Sequence, residues 1–496
     1  MKDFSFPLDS ILVWKNGKII KEEYQYPYGE KSLHRMFSMA KSYTSLAIGA
    51  LICEGKLHLT DKIGDFFPEL LPEKNDPFFD EMTIQDMLRM RTCFAVTTYK
   101  NKLDENWVGS YFSTKPDHSP GMIFKYDTSA ALVLSALVEK ITGRNVIDYL
   151  RVVFLNEAGF SKDAYFMPDP FGTGNGGSGL MAYPKDILLT GTFLLSAYRG
   201  RLKRDYPGLF LKADSEKCTD SSAGSENGNY DTGFYDRFEK YIKDAMSYHT
   251  ATVHEGKTRS ERYGYGYMFW ILPKGGIMMY GMGGQYLVIY PDTKTVVVTT
   301  ADTQSEAGGN QRILDAIEKE YAGTDSVRES MDFETTIPDG LSLTEEDKKS
   351  GMDRFFGTYE ITKKDSYFSG FVFDEKKLCL DTKEGKYVFF YETGRFGEGN
   401  VIFYPPDDKT DDCPAGFTSD YSFGLRAKPV SCAIARYQPD GSIYIQARLT
   451  GEDFGMIHFM IAAKEDGQTL LYIRKAVEFF LPCFNGFFDA RKVVSE

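Results

Sequence analysis

Ser38-Met-Ala-Lys41 opens the first strong helical pattern of the chain, which runs from about Met39 to Glu54 and meets Gly55. Glycine at that point suits the left-handed conformation that stops a helix. No other Ser-x-x-Lys occurs in the sequence. A spacing of three puts both side chains on one helical face, within about 5–6 Å at Cβ. A serine hydroxyl is a poor nucleophile until a neighbouring base takes its proton. A lysine can be that base only if burial or nearby groups bring its pKa down from about 10.4. Phe37, Met39, Ala40 and Tyr43 supply an apolar surrounding for such burial. The helix N-terminus adds free N–H groups and partial positive charge, suited to an oxyanion. On the tetrapeptide alone, a serine N-cap followed by a solvated lysine is the competing reading.

Outward from this helix, the pattern is one of strands at both ends and helices between. Ile11-Leu-Val-Trp, the turn Lys15-Asn-Gly-Lys18 and Ile19-Ile20 read as a hairpin with Asn16-Gly17 at its centre. Helical patterns follow in Thr83-Ile-Gln-Asp-Met-Leu and from Thr128 to Ile141, the latter ended by Gly143. Tyr263 to Trp270, Gly276 to Tyr290 and Thr295 to Thr300 read as strands, and Gln311 to Tyr321 as a closing helix. The expectation is an α+β unit whose sheet is assembled from sequence-distant pieces. Residues 201–260 are polar and read as an insertion or lid, with a Ser/Gly/Asn-rich patch at 221–229. A linker is expected at 326–350, where Pro338-Asp-Gly and Glu345-Glu-Asp-Lys-Lys stand. Short strands such as Phe371-Val-Phe and Ser442-Ile-Tyr-Ile, parted by Asp440-Gly441 and Asp466-Gly467, then predict an all-β barrel or meander over 351–496.

The 496 residues are 42% hydrophobic and 26% charged, the balance of a soluble globular chain with a sizeable core. A net charge of −13 argues against nucleic acid or an anionic membrane as the main partner. The N-terminal stretch Met1 to Ser10 has no apolar core region of a signal peptide, and the run Leu46 to Cys53 is too short to span a membrane. Cys53, Cys93, Cys218, Cys379, Cys413, Cys432 and Cys483 are odd in number and never spaced CxxC. That points to a reducing compartment, with a cytoplasmic location expected and no zinc signal.

Other chemical signatures are few. The sequence has no Gly-x-Ser-x-Gly elbow, no His-Glu-x-x-His and no Walker loop. Gly172-Thr-Gly-Asn-Gly-Gly177 matches a dinucleotide fingerprint, but Pro168 and Pro170 precede it in place of a strand, so it reads as a loop for close backbone approach. The six histidines, His34, His58, His118, His249, His254 and His458, form no spaced ligand set. No metal or cofactor is called for.

Taken in order, the hairpin, Ser38-x-x-Lys41, Thr83-Ile-Gln-Asp-Met-Leu-Arg-Met, Pro120-Gly-Met-Ile-Phe-Lys-Tyr126, Gly176-Gly-Ser-Gly-Leu, Tyr263-Gly-Tyr-Gly and Gly281-Met-Gly-Gly-Gln285 resemble the serine β-lactamase superfamily over roughly residues 8–320. The class C β-lactamase-like branch, with its penicillin-binding-protein-like esterases, D-aminopeptidases and nylon-oligomer hydrolases, is the part it resembles most. The resemblance implies a β-lactamase/transpeptidase-like domain over 1–325, an antiparallel sheet flanked by helices. It implies Ser38 as acylated nucleophile, Lys41 as its base, and Tyr126 as the group sharing the proton and serving the leaving group. A phenol near pKa 10 is useful there only beside a cation. The third motif aligns with Met282-Gly283-Gly284, so the N–H groups of Ser38 and Gln285 would form the oxyanion hole.

Two positions depart from the pattern. Tyr-x-Asn has become Tyr126-Asp127-Thr128, and Thr128 replaces only part of the missing amide. Met282 stands where lysine or histidine would bind a substrate carboxylate, and Lys349-Ser-Gly351 lies in the charged linker, where it cannot substitute. The resemblance with these departures implies a cofactor-independent serine hydrolase forming an acyl-enzyme on a small ester, amide or short peptide. A β-lactamase or DD-peptidase, and a binding protein that has lost catalysis, are the alternatives. The aromatic run Tyr263, Tyr265, Tyr267, Phe269 and Trp270 either borders the pocket or fills core. For the C-terminal domain a lipocalin-like module and a structural cap are both open. The sequence gives no oligomeric state.

Overall fold

The computed structural model describes residues 8–74, 76–101, 105–210, 230, 232–304, 308–323, 344–363, 366–382, 385–390, 397–404, 428–449, 455–476 and 485–493. The patch at 221–229 and most of the expected linker, 326–343, lie outside them. Two compact units form, residues 1–115 with 124–340, and residues 116–123 with 341–496.

In the first unit, β1 (Ser10–Lys15) and β2 (Lys18–Tyr24) make the expected hairpin. Asn16 and Gly17 both take positive φ, 50° and 92°, as a tight hairpin turn of this twist requires. β1 then pairs antiparallel with β9 (Thr295–Thr300), from Ser10 opposite Thr300 to Lys15 opposite Thr295. With β8 (Gln285–Tyr290), β7 (Ile277–Gly281) and β6 (Trp270–Ile271) the sheet has the order β2-β1-β9-β8-β7-β6. The two ends of the unit thus meet in one sheet. A small second sheet, order β3-β5-β4, joins β3 (His34–Arg35), β5 (Leu180–Ala182) and β4 (Tyr165–Phe166).

The first helix, Ala40–Cys53, is buried nearly all round, which is why its sequence shows little amphipathic stripe. Helix Thr128–Thr142 packs beside it, started by the Asp127 side chain accepting from Ser129 N and ended by Gly143 at φ 68°. A shorter helix, Ile84–Leu88, carries a capping box between Thr83 and Asp86. Within 201–260, helix Thr232–Ala245 belongs to the core of this unit. Phe234, Phe238 and Ile242 are buried, and the Tyr241 hydroxyl lies 3.1 Å from Ser45 Oγ on the first helix.

One strand expectation fails. Of residues 263–270 only Trp270 enters a strand, because Gly264 at φ 124° and Met268 at φ 62° interrupt extended backbone. The aromatic side chains there are buried regardless, Tyr265 and Tyr267 at 1% exposure.

In the second unit, ten antiparallel strands from Gly357–Ile361 to Asn485–Lys492 follow one another and close into a barrel. Closure comes from Tyr359 opposite Lys492 and Ile361 opposite Ala490. Residues 345–350, read as linker, are the start of a helix, Glu345–Asp353. Phe368, Phe371, Phe373, Leu380, Phe389 and Phe459 pack into one apolar core. The segment 116–123 also belongs to this unit. His118 stacks on Phe487 with ring centroids 3.7 Å apart, and Ser119 N donates to Asp489 Oδ1 at 3.2 Å while its hydroxyl donates to the same carboxylate.

Candidate active site

Ser38 sits in a single 3-10 turn, Phe37–Met39, that leads into the first helix. It therefore stands one turn ahead of the α-helix proper and not within it. Phe37 is held at φ 44°, a left-handed conformation that costs a non-glycine residue energy and clusters at functional sites. Three residues on, Lys41 is 1% exposed. Its Nζ lies 3.0 Å from Ser38 Oγ and donates to the carbonyl of Gly177 at 2.6 Å. Burial disfavours the ammonium and brings the Lys41 pKa down to about 7, against the opposing pull of the Asp127 charge. A lysine that is neutral for half its population near neutrality can accept a proton.

Tyr126 closes the third side. Its hydroxyl hydrogen-bonds Ser38, and Lys41 Nζ lies 4.9 Å from its ring centroid. Burial holds the phenol above its usual range, an effect the Ser38 bond opposes. Trp270 stacks on Tyr126 at 5.9 Å and 20°, and Tyr265 meets it edge-on at 6.4 Å. The aromatic run thus fills core and walls this tyrosine at once.

Thr128 and the third motif are placed less directly. Thr128 N donates to Thr97 Oγ1 at 3.2 Å. Its methyl is packed so closely on Gly177 that a Cβ there would stand 2.7 Å from Thr128 Cγ2. The carbonyl of Gly177 accepts from the Lys41 amine. Met282, Gly283 and Gly284 form the turn between β7 and β8, with Gly283 and Gly284 at φ 88° and 98°. Met282 is 46% exposed. Gln285 opens β8, its side chain donating to Ala301 O at 2.6 Å.

The first motif and the β7–β8 turn lie against each other at backbone distance. A Cβ on Gly281 would stand 2.1 Å from the carbonyl oxygen of Met36, so only glycine fits between them. Gly281→Ala is expected to destabilise the protein by about 1–3 kcal/mol through overpacking. Chemical denaturation measures this, and a variant as stable as the parent would mean that β7 moves freely away from Met36.

Two site residues were not found from the sequence in their roles. Gly177 stands within a glycine-rich run, but nothing local says that its carbonyl meets a side chain 136 residues away. Asp127 is, in the sequence, only the middle residue of the altered Tyr-x-Asn motif. In the structure it is fully buried, accepts from Ser129 N at 2.9 Å and Thr92 Oγ1 at 3.3 Å, and has its pKa pushed up to about 6 by burial.

With serine, lysine and tyrosine gathered at one helix start beside a glycine turn, the family model that matches is described as Beta-lactamase, over residues 1–321. The chain belongs to the Beta-lactamase family. Its fold is β-lactamase/transpeptidase-like with an all-β C-terminal barrel. Among curated members, the 6-aminohexanoate-dimer hydrolase of Paenarthrobacter ureafaciens is 22% identical over 203 residues, 38% of this chain and 52% of that protein. Protein flp of Staphylococcus aureus (strain MW2) is 26% identical over 160 residues, 29% of this chain and 32% of that one. The chain thus spans about a third to a half of the length of these relatives. Among solved structures, the octameric penicillin-binding protein homologue from Pyrococcus abyssi has a TM-score of 0.46 at 14% identity, covering 98% of this chain and 96% of that one. A class C beta-lactamase mutant has 0.43 at 15%, covering 62% and 91%. Among the described residues no group of side chains is arranged to hold a metal ion, and no helix is long and apolar enough to cross a membrane.

Proposed function

We propose that this Beta-lactamase family member is a serine hydrolase that forms an acyl-enzyme on a small ester or amide. The observation that carries the reading is the Lys41 amine, buried and with its pKa near 7, at 3.0 Å from the Ser38 hydroxyl. In the proposed first step Ser38 Oγ bonds to the substrate carbonyl carbon while its proton passes to Lys41 Nζ. The carbonyl oxygen takes the negative charge and is received by the N–H groups of Ser38 and Gln285, donors that typically contribute about 10²–10³ in rate each. Tyr126, hydrogen-bonded to Ser38, relays that proton to the departing alkoxide or amine as its bond to carbon breaks. Water then attacks the acyl carbon, giving its proton back through the same pair, and the acid leaves with Ser38 restored.

Met282 shapes the substrate range under this reading. A half-exposed thioether at the β7–β8 turn cannot pair with a carboxylate, which favours neutral or cationic substrates over penicillins.

Intact-protein mass after incubation with a fluorophosphonate tests the nucleophile. One adduct, mapping to Ser38 and absent from Ser38→Ala, is the expected result. Folded protein that stays unlabelled would favour a binding protein that keeps the site without its chemistry.

A further inference from the structure

The Gly177 carbonyl that accepts from Lys41 lies in the loop from β4 to β5, in the run Gly174-Asn-Gly-Gly-Ser-Gly179. A side chain at 177 has no room, because a Cβ there would stand 2.7 Å from Thr128 Cγ2 and 3.0 Å from Thr128 O. Glycine leaves its two flanking peptides freer to turn than any other residue does. A carbonyl that must point one way there needs a brace from elsewhere. Asn175 supplies it. The residue is 8% exposed, and its Oδ1 accepts from Gly177 N at 3.2 Å and from Ser178 N at 3.1 Å. One side-chain oxygen thus ties down the peptide on each side of Gly177, as asparagine does in an Asx turn.

The Ser178 bond sets the direction. Ser178 N and the Gly177 carbonyl belong to one planar trans peptide and point opposite ways. With the N–H turned to Asn175, the C=O is turned to Lys41 Nζ, 2.6 Å away. The Asn175 carbonyl also receives Ser178 N, at 3.1 Å, but it is shared with Gly179 N at 2.7 Å. The rest of the loop is fixed from outside. Thr44 Oγ1 donates to Gly176 O at 3.0 Å, Ser135 Oγ to Gly174 O at 2.8 Å, and Arg35 to Ser178 O at 3.2 Å and Ser178 Oγ at 3.1 Å. Lys41 itself faces Ser38, the Tyr126 ring and the Asp127 charge. Among the described residues, Arg35, Glu139 and Asp169 are the charged side chains that bond the loop. Asn175 is neutral, so its removal changes none of these charges.

We propose that Asn175 is a positioning residue for Lys41, which braces both peptides of Gly177 and so aims the Gly177 carbonyl at the amine. With one N–H of the neutral amine held by that carbonyl, the lone pair is left for the Ser38 proton. The proposal rests on the hydrolase reading for what this positioning achieves, though not for whether the brace exists.

Two readouts on the full chain test it, in the parent, Asn175→Ala and Asn175→Asp. The first is the rate of fluorophosphonate labelling at Ser38 from pH 5 to 11. The second is the titration of Lys41 by NMR of isotopically labelled lysine in a Ser38→Ala background, its resonance assigned by its loss in Lys41→Ala. An ammonium makes a stronger hydrogen bond to a carbonyl than an amine does, so turning the carbonyl away should lower the Lys41 midpoint by about one pH unit. Asn175→Ala is expected to show that shift, with the labelling plateau about 10–100-fold down. Asn175→Asp keeps an acceptor at the same reach and is expected to hold the plateau within about threefold of the parent, with a midpoint no lower. Asn175→Ser, whose hydroxyl makes the same turn more weakly, should fall between them, and it decides the matter if the alanine variant does not fold. Thermal unfolding checks each variant. A midpoint that rises in Asn175→Ala towards the ordinary value of about 10.4 would mean that the residue only keeps water from the lysine, and would overturn the proposal. An unmoved midpoint, or an Asn175→Asp variant as slow as Asn175→Ala, would overturn it too. Failure of the parent to label at Ser38, with the midpoint shift present, would remove the hydrolase reading and leave the brace standing. Labelling at Ser38 with an unmoved midpoint would do the reverse.

Discussion

Ser38→Ala is expected to lower turnover of a simple ester such as p-nitrophenyl butyrate by about 10⁴–10⁶ while leaving the fold intact. The Lys41 amine and the Tyr126 phenol both hydrogen-bond this hydroxyl, so its removal takes away the proposed bond-forming group and leaves both partners in place. Alanine fits the half-buried 3-10 position, and the strained Phe37 that precedes it is untouched. Thermal unfolding should coincide with that of the parent. Any residual rate would come from binding and the oxyanion donors alone. Turnover within tenfold of the parent in a folded variant would place the nucleophile elsewhere.

Lys41 gives the second large effect. Its pKa is lowered from the ordinary 10.5 to about 7, so the amine is protonated below that pH and free to accept a proton above it. Acylation should therefore rise with pH through about 7 and level off in mildly alkaline solution. Lys41→Ala should cost about 10²–10⁴ in the acylation rate and remove that limb of the profile. Stopped-flow acylation between pH 5 and 11 reads both at once. A parent profile that climbs only near pH 10 would mean an ordinary, solvated lysine and would sink the proposed role. A wild-type rate in Lys41→Ala would do the same.

Much of the scaffold was legible because its determinants are local. Asn16-Gly17 and Gly143 have positive φ in the structure where the sequence asked for it, and a Thr–Asp capping box starts the helix read from Thr83. The Ser38–Lys41 pairing was legible for the same reason, since three residues of one turn decide it. What could not be read is long-range or backbone-made. Gly177 reaches Lys41 with a carbonyl, a group every residue carries. Asp127 faces inward as a fully buried helix cap, although as a sequence letter it is a charged residue beside a tyrosine. The aromatic alternation of 263–270 suggested extended backbone, yet burial of the rings is met with Gly264 and Met268 bending the chain. Side-chain character fixed what is inside there, and two dihedral angles fixed the path.

The barrel unit takes eight of its residues, 116–123, from the middle of the other unit's sequence. The order of modules along the gene is therefore not the order of separable pieces. A chain cut after residue 340 would keep His118 and Ser119 and discard Phe487 and Asp489, the ring and the carboxylate that they rest on. The discarded part would in turn expose an Asp489 carboxylate whose pKa burial now raises. Neither fragment inherits a finished surface, so a shortened protein that expressed poorly would report this interleaving and say nothing about what the barrel does.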